Sequence, residues 1–128
     1  MKQVERPFDI ILMGATGFTG QLVAGHLEAH AKNLNWAIAG RSLEKLNQVR
    51  DTVAPSAEVL VADSLSEADM EVIATGTRVV ASTAGPFAEI GTQLVSACAS
   101  HGTHYVDITG ETQWIRSMID NYHGTALE

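Results

Sequence analysis

At 128 residues and 13.7 kDa the chain is the length of one ordinary domain, large enough to build a core without disulfides or a structural metal. Its 45% apolar and 18% charged residues exclude a disordered polyelectrolyte and a row of membrane spans. A formal charge of −7 and a pI near 5.1 argue against a basic face, so no nucleic-acid partner is expected. Cys98 is the single cysteine, which excludes an internal disulfide framework and a multi-cysteine zinc site. The polar start, residues 1–6, carries no apolar signal core, and a reducing, cytoplasmic location is the expectation.

The first predicted element is a strand over Phe8–Met13, short, aliphatic and bounded by Pro7 and Gly14. Gly14-Ala15-Thr16-Gly17-Phe18-Thr19-Gly20 then opens a helix whose Val23 and Leu27 stand at i,i+4. Trp36–Ala39 reads as the second strand, followed by a helix with Leu43, Leu46, Val49 and Val53 on one stripe. Glu58–Ala62 is the third strand. A helix is predicted after it, entered through a Ser64–Glu67 capping box, with Leu65, Ala68 and Val72 inward and Gly76 as a left-handed stop. Arg78–Ser82 is the fourth strand, and Leu94, Val95, Cys98 and Ala99 line the helix that Gly102 ends. His104–Ile108 is the fifth strand. The final helix carries Trp114, Ile115, Met118, Ile119 and Tyr122 on a wide apolar face, with Arg116, Asp120 and Asn121 opposite. That face either packs on the chain's own sheet or meets more protein, a C-terminal part or a second copy against residues 114–122.

Strand and helix alternating five times predict an α/β fold, a doubly wound parallel (Rossmann) sheet with helices on both faces. Right-handed crossovers give 3-2-1-4-5 as the expected strand order.

The strongest functional signal is the glycine run. Gly14 permits the sharp turn out of the strand, Gly17 lets backbone approach a diphosphate, and Gly20 lets the helix pack closely on the sheet. The N–H groups of Gly14, Ala15, Thr16, Gly17, Phe18, Thr19 and Gly20 then face an anion at the positive end of a helix dipole. The alternative is a glycine-rich structural turn. About twenty residues after the glycines an NAD-selective site places a carboxylate, whereas this chain reads Gly40-Arg41-Ser42 with Lys45 one turn on. Arg41 can fork onto a ribose 2′-phosphate and Ser42 can donate its hydroxyl, so NADP is the expected cofactor and NAD the lesser one. Otherwise Arg41 and Lys45 are solvated charges at a helix start. Asp63, ending the third strand, suits either an adenine contact or a cap. Ala84, Gly85 and Pro86, after the fourth strand, lie on the nicotinamide side by topology and are expected to touch cofactor, or else form an ordinary connection.

Other chemistry is thin. Short-chain reductases need Tyr-x-x-x-Lys, and neither Tyr105 nor Tyr122 is followed by a lysine at that spacing. His101 and His104 straddle Gly102 with no third ligand spaced to join them, so no metal is expected and His101 is read as complementing a helix dipole. Asp107, Thr109, Gly110 and Glu111 either cap the last helix or touch substrate in a longer protein. Cys98 is read as core. No catalytic residue is assigned.

The glycine run with Gln21-Leu22-Val23, the stretch Trp36–Ser42 with Lys45-Leu46, Gly85-Pro86-Phe87, and the run His101–Glu111 resemble the NADP-binding end of saccharopine dehydrogenase-like oxidoreductases. The resemblance covers nearly the whole chain, and the late run is the more specific part. It implies an N-terminal Rossmann domain of an NAD(P)-dependent oxidoreductase, with the cofactor residues falling on the glycine run, Arg41, Ser42 and Ala84–Pro86. It also implies a protein several times longer, so residues 1–128 are expected to be its cofactor domain, inactive alone and lacking a substrate domain. A free-standing NADP(H) sensor and a flavodoxin-like flavin or phosphate binder remain the competing readings.

Overall fold

The computed structural model describes residues 5–128. Five strands, β1 (Phe8–Met13), β2 (Trp36–Gly40), β3 (Glu58–Val61), β4 (Thr77–Ser82) and β5 (His104–Asp107), form one parallel sheet in the order β3-β2-β1-β4-β5. The helices are α1 (Phe18–His30), α2 (Leu43–Thr52), α3 (Glu67–Gly76), the single turn α4 (Phe87–Ile90), α5 (Thr92–His101) and α6 (Thr112–Leu127). The predicted fold class and strand order are therefore correct, with strand ends differing by one residue. No helix among the described residues is long and apolar enough to cross a membrane.

Two cores flank the sheet because every central strand is apolar on both sides. Leu12, Trp36 and Ile38 pack with Ala24 of α1 and Leu46 and Val49 of α2. Ile11, Met13 and Val80 pack on the other face with Met70 and Ile73 of α3 and Leu94 and Cys98 of α5. Cys98 is core as expected, and burial pushes its thiol up to about 12, which keeps it protonated and inert.

Several local expectations are corrected. The cap of α3 is Ser66, whose Oγ accepts from the amide of Asp69 at 3.1 Å, and not Ser64 with Glu67. Leu65, Ala68 and Val72 face solvent; Met70, Ile73 and Ala74 are the buried face. Gly76 has no left-handed backbone, because α3 runs straight into β4 at Thr77 and no reversal is needed. Gly102, by contrast, ends α5 at φ 67°.

Arg6, hidden in a start that reads as a polar tail, ties the N-terminal edge of the sheet together. Its guanidinium donates to the Ala74 and Thr77 carbonyls at 3.0 and 2.7 Å, to the His101 carbonyl at 2.5 Å, and to Thr103 Oγ1. The helix α6 packs chiefly on α5. Trp114 is buried, donating from Nε1 to Thr92 Oγ1 at 3.0 Å and lying 5.5 Å from the Phe87 ring. Gly91 makes room for it, since a Cβ there would sit 2.9 Å from the indole. Further along, Ile115 and Ile119 stay in solvent. A cavity of about 400 Å³, lined by Cys98, Tyr105, Met118 and Tyr122 among others, opens between α5, β5 and α6.

Candidate functional site

The site grows from the reversal of strand order. The chain winds outward from β1 through β2 to β3, returns to β4 beside β1, and winds the other way. Connections leaving the carboxyl ends of β1 and β4 therefore diverge and leave a crevice between them, the switch point where open α/β sheets bind ligands.

At that crevice β1 ends in Gly14, which holds φ 85°. A side chain is barred twice there, by that backbone conformation and by the Ala84 amide 2.7 Å from where Cβ would stand. Gly20 is barred once: its Cβ would lie 2.1 Å from the Gly14 carbonyl oxygen. Gly17 is different. A Cβ there would meet only the Gly14 oxygen, at an ordinary 3.7 Å, so packing within the chain does not demand glycine at this position.

The amides of Gly14 and Gly17 are committed inside the chain, to Ala39 O at 3.1 Å and Gly14 O at 3.3 Å. Those of Ala15, Thr16, Phe18, Thr19 and Gly20 find no acceptor among the described residues. Helices α2 and α3 start under side-chain caps with acidic first turns, Ser42 with Glu44 and Ser66 with Glu67 and Asp69, whereas α5 and α6 have neither. The start of α1 has neither a capping side chain nor an acidic residue in its first turn, which leaves its dipole available to an outside anion. Phe18, 82% exposed, adds an apolar ring at the mouth.

The opposite lip is the loop after β4. Thr83, which sequence reasoning passed over, donates from Oγ1 to Gly14 O at 3.1 Å and from its amide to Met13 O at 2.9 Å. Ser82 Oγ accepts from the Ala84 amide at 3.2 Å. These bonds hold Thr83 and Ala84 against the glycine bend, and Gly85 and Pro86 follow them. A polar residue closing a buried strand was the available signal for Thr83.

At the β2 side of the crevice, Arg41 follows the last strand residue and is exposed, as is Lys45. Neither forms an ion pair among the described residues. Ser42 Oγ accepts from the Lys45 amide at 3.2 Å, which leaves its proton free to donate outward. Asp63 closes a turn, its Oδ1 accepting from the Leu65 amide at 2.9 Å, so its capping reading has a definite partner.

The acidic cluster does not cap the last helix, contrary to one of its two readings: Glu111 stands at the start of α6, which has no side-chain cap. Its carboxylate instead accepts from the amides of Phe87 at 2.7 Å and Ala88 at 3.1 Å, covering the start of α4. Those backbone donors hold its pKa below the ordinary glutamate value. Asp107 accepts from Tyr105 OH at 2.7 Å and from the Thr109 amide at 3.0 Å. Burial, then the Asp107 carboxylate, raises the Tyr105 pKa far above its ordinary value, so this tyrosine stays protonated. His101 lies in the last turn of α5 but turns its ring to Glu71 at 3.0 Å, and no group of three metal-ligating side chains exists among the described residues.

A glycine bend with free amides, set at the switch point of a parallel sheet, defines a dinucleotide-binding Rossmann domain. Residues 10–126 match the saccharopine dehydrogenase NADP binding domain, and the chain belongs to that family, whose cofactor is NADP. It is 43% identical to the trans-acting enoyl reductase of Mycobacterium ulcerans (strain Agy99) over 131 residues, covering 100% of this chain and 31% of that protein. The Mycobacterium leprae (strain TN) protein of the same name is also 43% identical, over 98% of this chain and 31% of its own length. The chain thus spans about a third of the curated relatives it matches. Among solved structures, apo saccharopine dehydrogenase from Saccharomyces cerevisiae superposes with a TM-score of 0.69 at 20% identity, over 88% of this chain and 24% of that one. A Rossmann-fold NAD(P)-binding protein from Shigella flexneri gives 0.70 at 14% identity, over 94% and 64%. At those identities the likeness establishes the fold.

Proposed function

We propose that the chain is the cofactor domain of an NADP(H)-dependent oxidoreductase in which the substrate-handling part lies outside these residues. The observation that carries this reading is the set of free amides of Ala15, Thr16, Phe18, Thr19 and Gly20 at an uncapped helix start. In it, those amides grip the diphosphate, Gly17 admits its close approach, and Arg41, Ser42 and Lys45 take the 2′-phosphate. Asp63 flanks the adenine, while Ala84, Gly85 and Pro86 border the nicotinamide half. The bound nicotinamide supplies the hydride chemistry. The chain's own part is to fix that ring's orientation and to select the phosphorylated ribose. Relatives three times as long and the bare isoleucines of α6 support a substrate domain, or a second copy, seated against residues 114–122.

A thermal-shift panel tests the reading. NADP is expected to raise the melting temperature well above NAD, with no response to FMN or ATP, since binding to the folded state stabilises it by mass action. Protection by FMN in place of NADP would place the chain among flavin binders.

A further inference from the structure

We propose that Glu111 is a positioning residue, holding the loop Ala84–Pro86 in the shape that receives the nicotinamide half of the cofactor. The inference rests on the cofactor reading above. That loop is anchored at its start by Thr83 and Ser82, which bond to Gly14 O and the Ala84 amide. Its far end carries local backbone bonds, with the Pro86 carbonyl accepting from the Glu89 and Ile90 amides, but no capping side chain of its own, because α4 is a single turn whose N-cap residue is Pro86. Glu111 supplies the cap from more than twenty residues away, one carboxylate oxygen on each of two successive amides, Phe87 and Ala88.

Glu111 is itself held. Its amide donates to Thr109 Oγ1 at 3.1 Å, and the Thr109 amide donates to Asp107 at 3.0 Å, which accepts from Tyr105 at 2.7 Å. Trp114, one turn into α6, braces the same loop through its contact with the Phe87 ring. The segment 107–114 therefore works as a strut behind the nicotinamide lip, and the 2′-phosphate side, at the far end of the crevice by β2, is independent of it. Holding the loop in its bound shape removes an ordering cost that binding would otherwise carry.

The test compares NADP with 2′,5′-ADP, which carries the 2′-phosphate but no nicotinamide, by calorimetric titration of the 128-residue chain. Glu111→Ala is expected to weaken NADP by about fivefold while leaving 2′,5′-ADP within about twofold. Glu111→Gln keeps the side-chain shape and one acceptor, and is expected to show the same asymmetry at smaller size, even should the alanine variant fold poorly. Unchanged NADP affinity in both variants, or equal proportional losses for the two ligands, overturns the proposal. Failure of the unaltered chain to bind either ligand refutes the cofactor reading itself, and the proposal with it.

Discussion

Gly20→Ala is expected to abolish measurable NADP binding and to lower the melting temperature. The added Cβ would stand 2.1 Å from the Gly14 carbonyl oxygen and 2.8 Å from the Ala15 Cα, all backbone atoms with no rotamer to change. Either α1 slides off the sheet or the bend unfolds. Overpacking of this kind costs about 3 kcal/mol, and the better helix propensity of alanine returns about 1 kcal/mol of it. The net of about 2 kcal/mol corresponds to a drop on the order of 8 °C for a domain of this length. Binding suffers more, because the displaced helix start carries the free amides away from the diphosphate; about a hundredfold loss or greater is expected. Gly25→Ala, in the same helix, is the control. Its Cβ would meet only Val53 Cγ1, at an ordinary 3.6 Å, so that variant should bind normally and melt no lower than the parent. Calorimetric titration and thermal denaturation of the pair separate the clash from the generic effect of replacing a helical glycine.

Arg41→Ala is expected to weaken NADP by about tenfold or more and to leave NAD nearly unchanged. The guanidinium is exposed and in no ion pair among the described residues, so its removal breaks no structural contact and should not move the melting temperature. What it removes is a forked, charged donor for a phosphate that only NADP carries. Arg41→Lys should recover part of the preference, because lysine keeps the charge and loses the fork. The preference should also shrink with added salt, since the pair sits in solvent. Equal losses for the two dinucleotides in titration would remove Arg41 from the 2′-phosphate role.

Much of this molecule is legible in its sequence because its physics is local. The apolar runs at Phe8–Met13 and Trp36–Ala39 read as strands buried on both faces, and of the three glycines after the first strand two, Gly14 and Gly20, stand at close backbone approaches. The misreadings have equally definite causes. Residues 64–76 contain two superimposed helical patterns and two Ser-x-x-acid pairs, Ser64–Glu67 and Ser66–Asp69. Local rules cannot choose between them. The choice falls to Asp63, whose side chain folds a turn over Leu65, delaying the helix to Glu67 and turning Met70 and Ile73 to the sheet. Arg6 and Glu111 were opaque for a different reason. Each works through partners distant along the chain, Ala74 to Thr103 for the arginine and Phe87 with Ala88 for the glutamate, and no periodicity encodes such a pairing. Thr83 falls between: its place at a strand end was visible, but its grip on Gly14 O was not.

The most direct check is the amide spectrum of the isotopically labelled chain titrated with NADP and, separately, NAD. Both dinucleotides should move the resonances of residues 15–20 most strongly, and NADP alone should add large shifts at residues 41–45. Quiet resonances across the glycine bend, with the changes gathered instead around Cys98, Tyr105 and Met118 at the cavity beneath α6, would contradict the account.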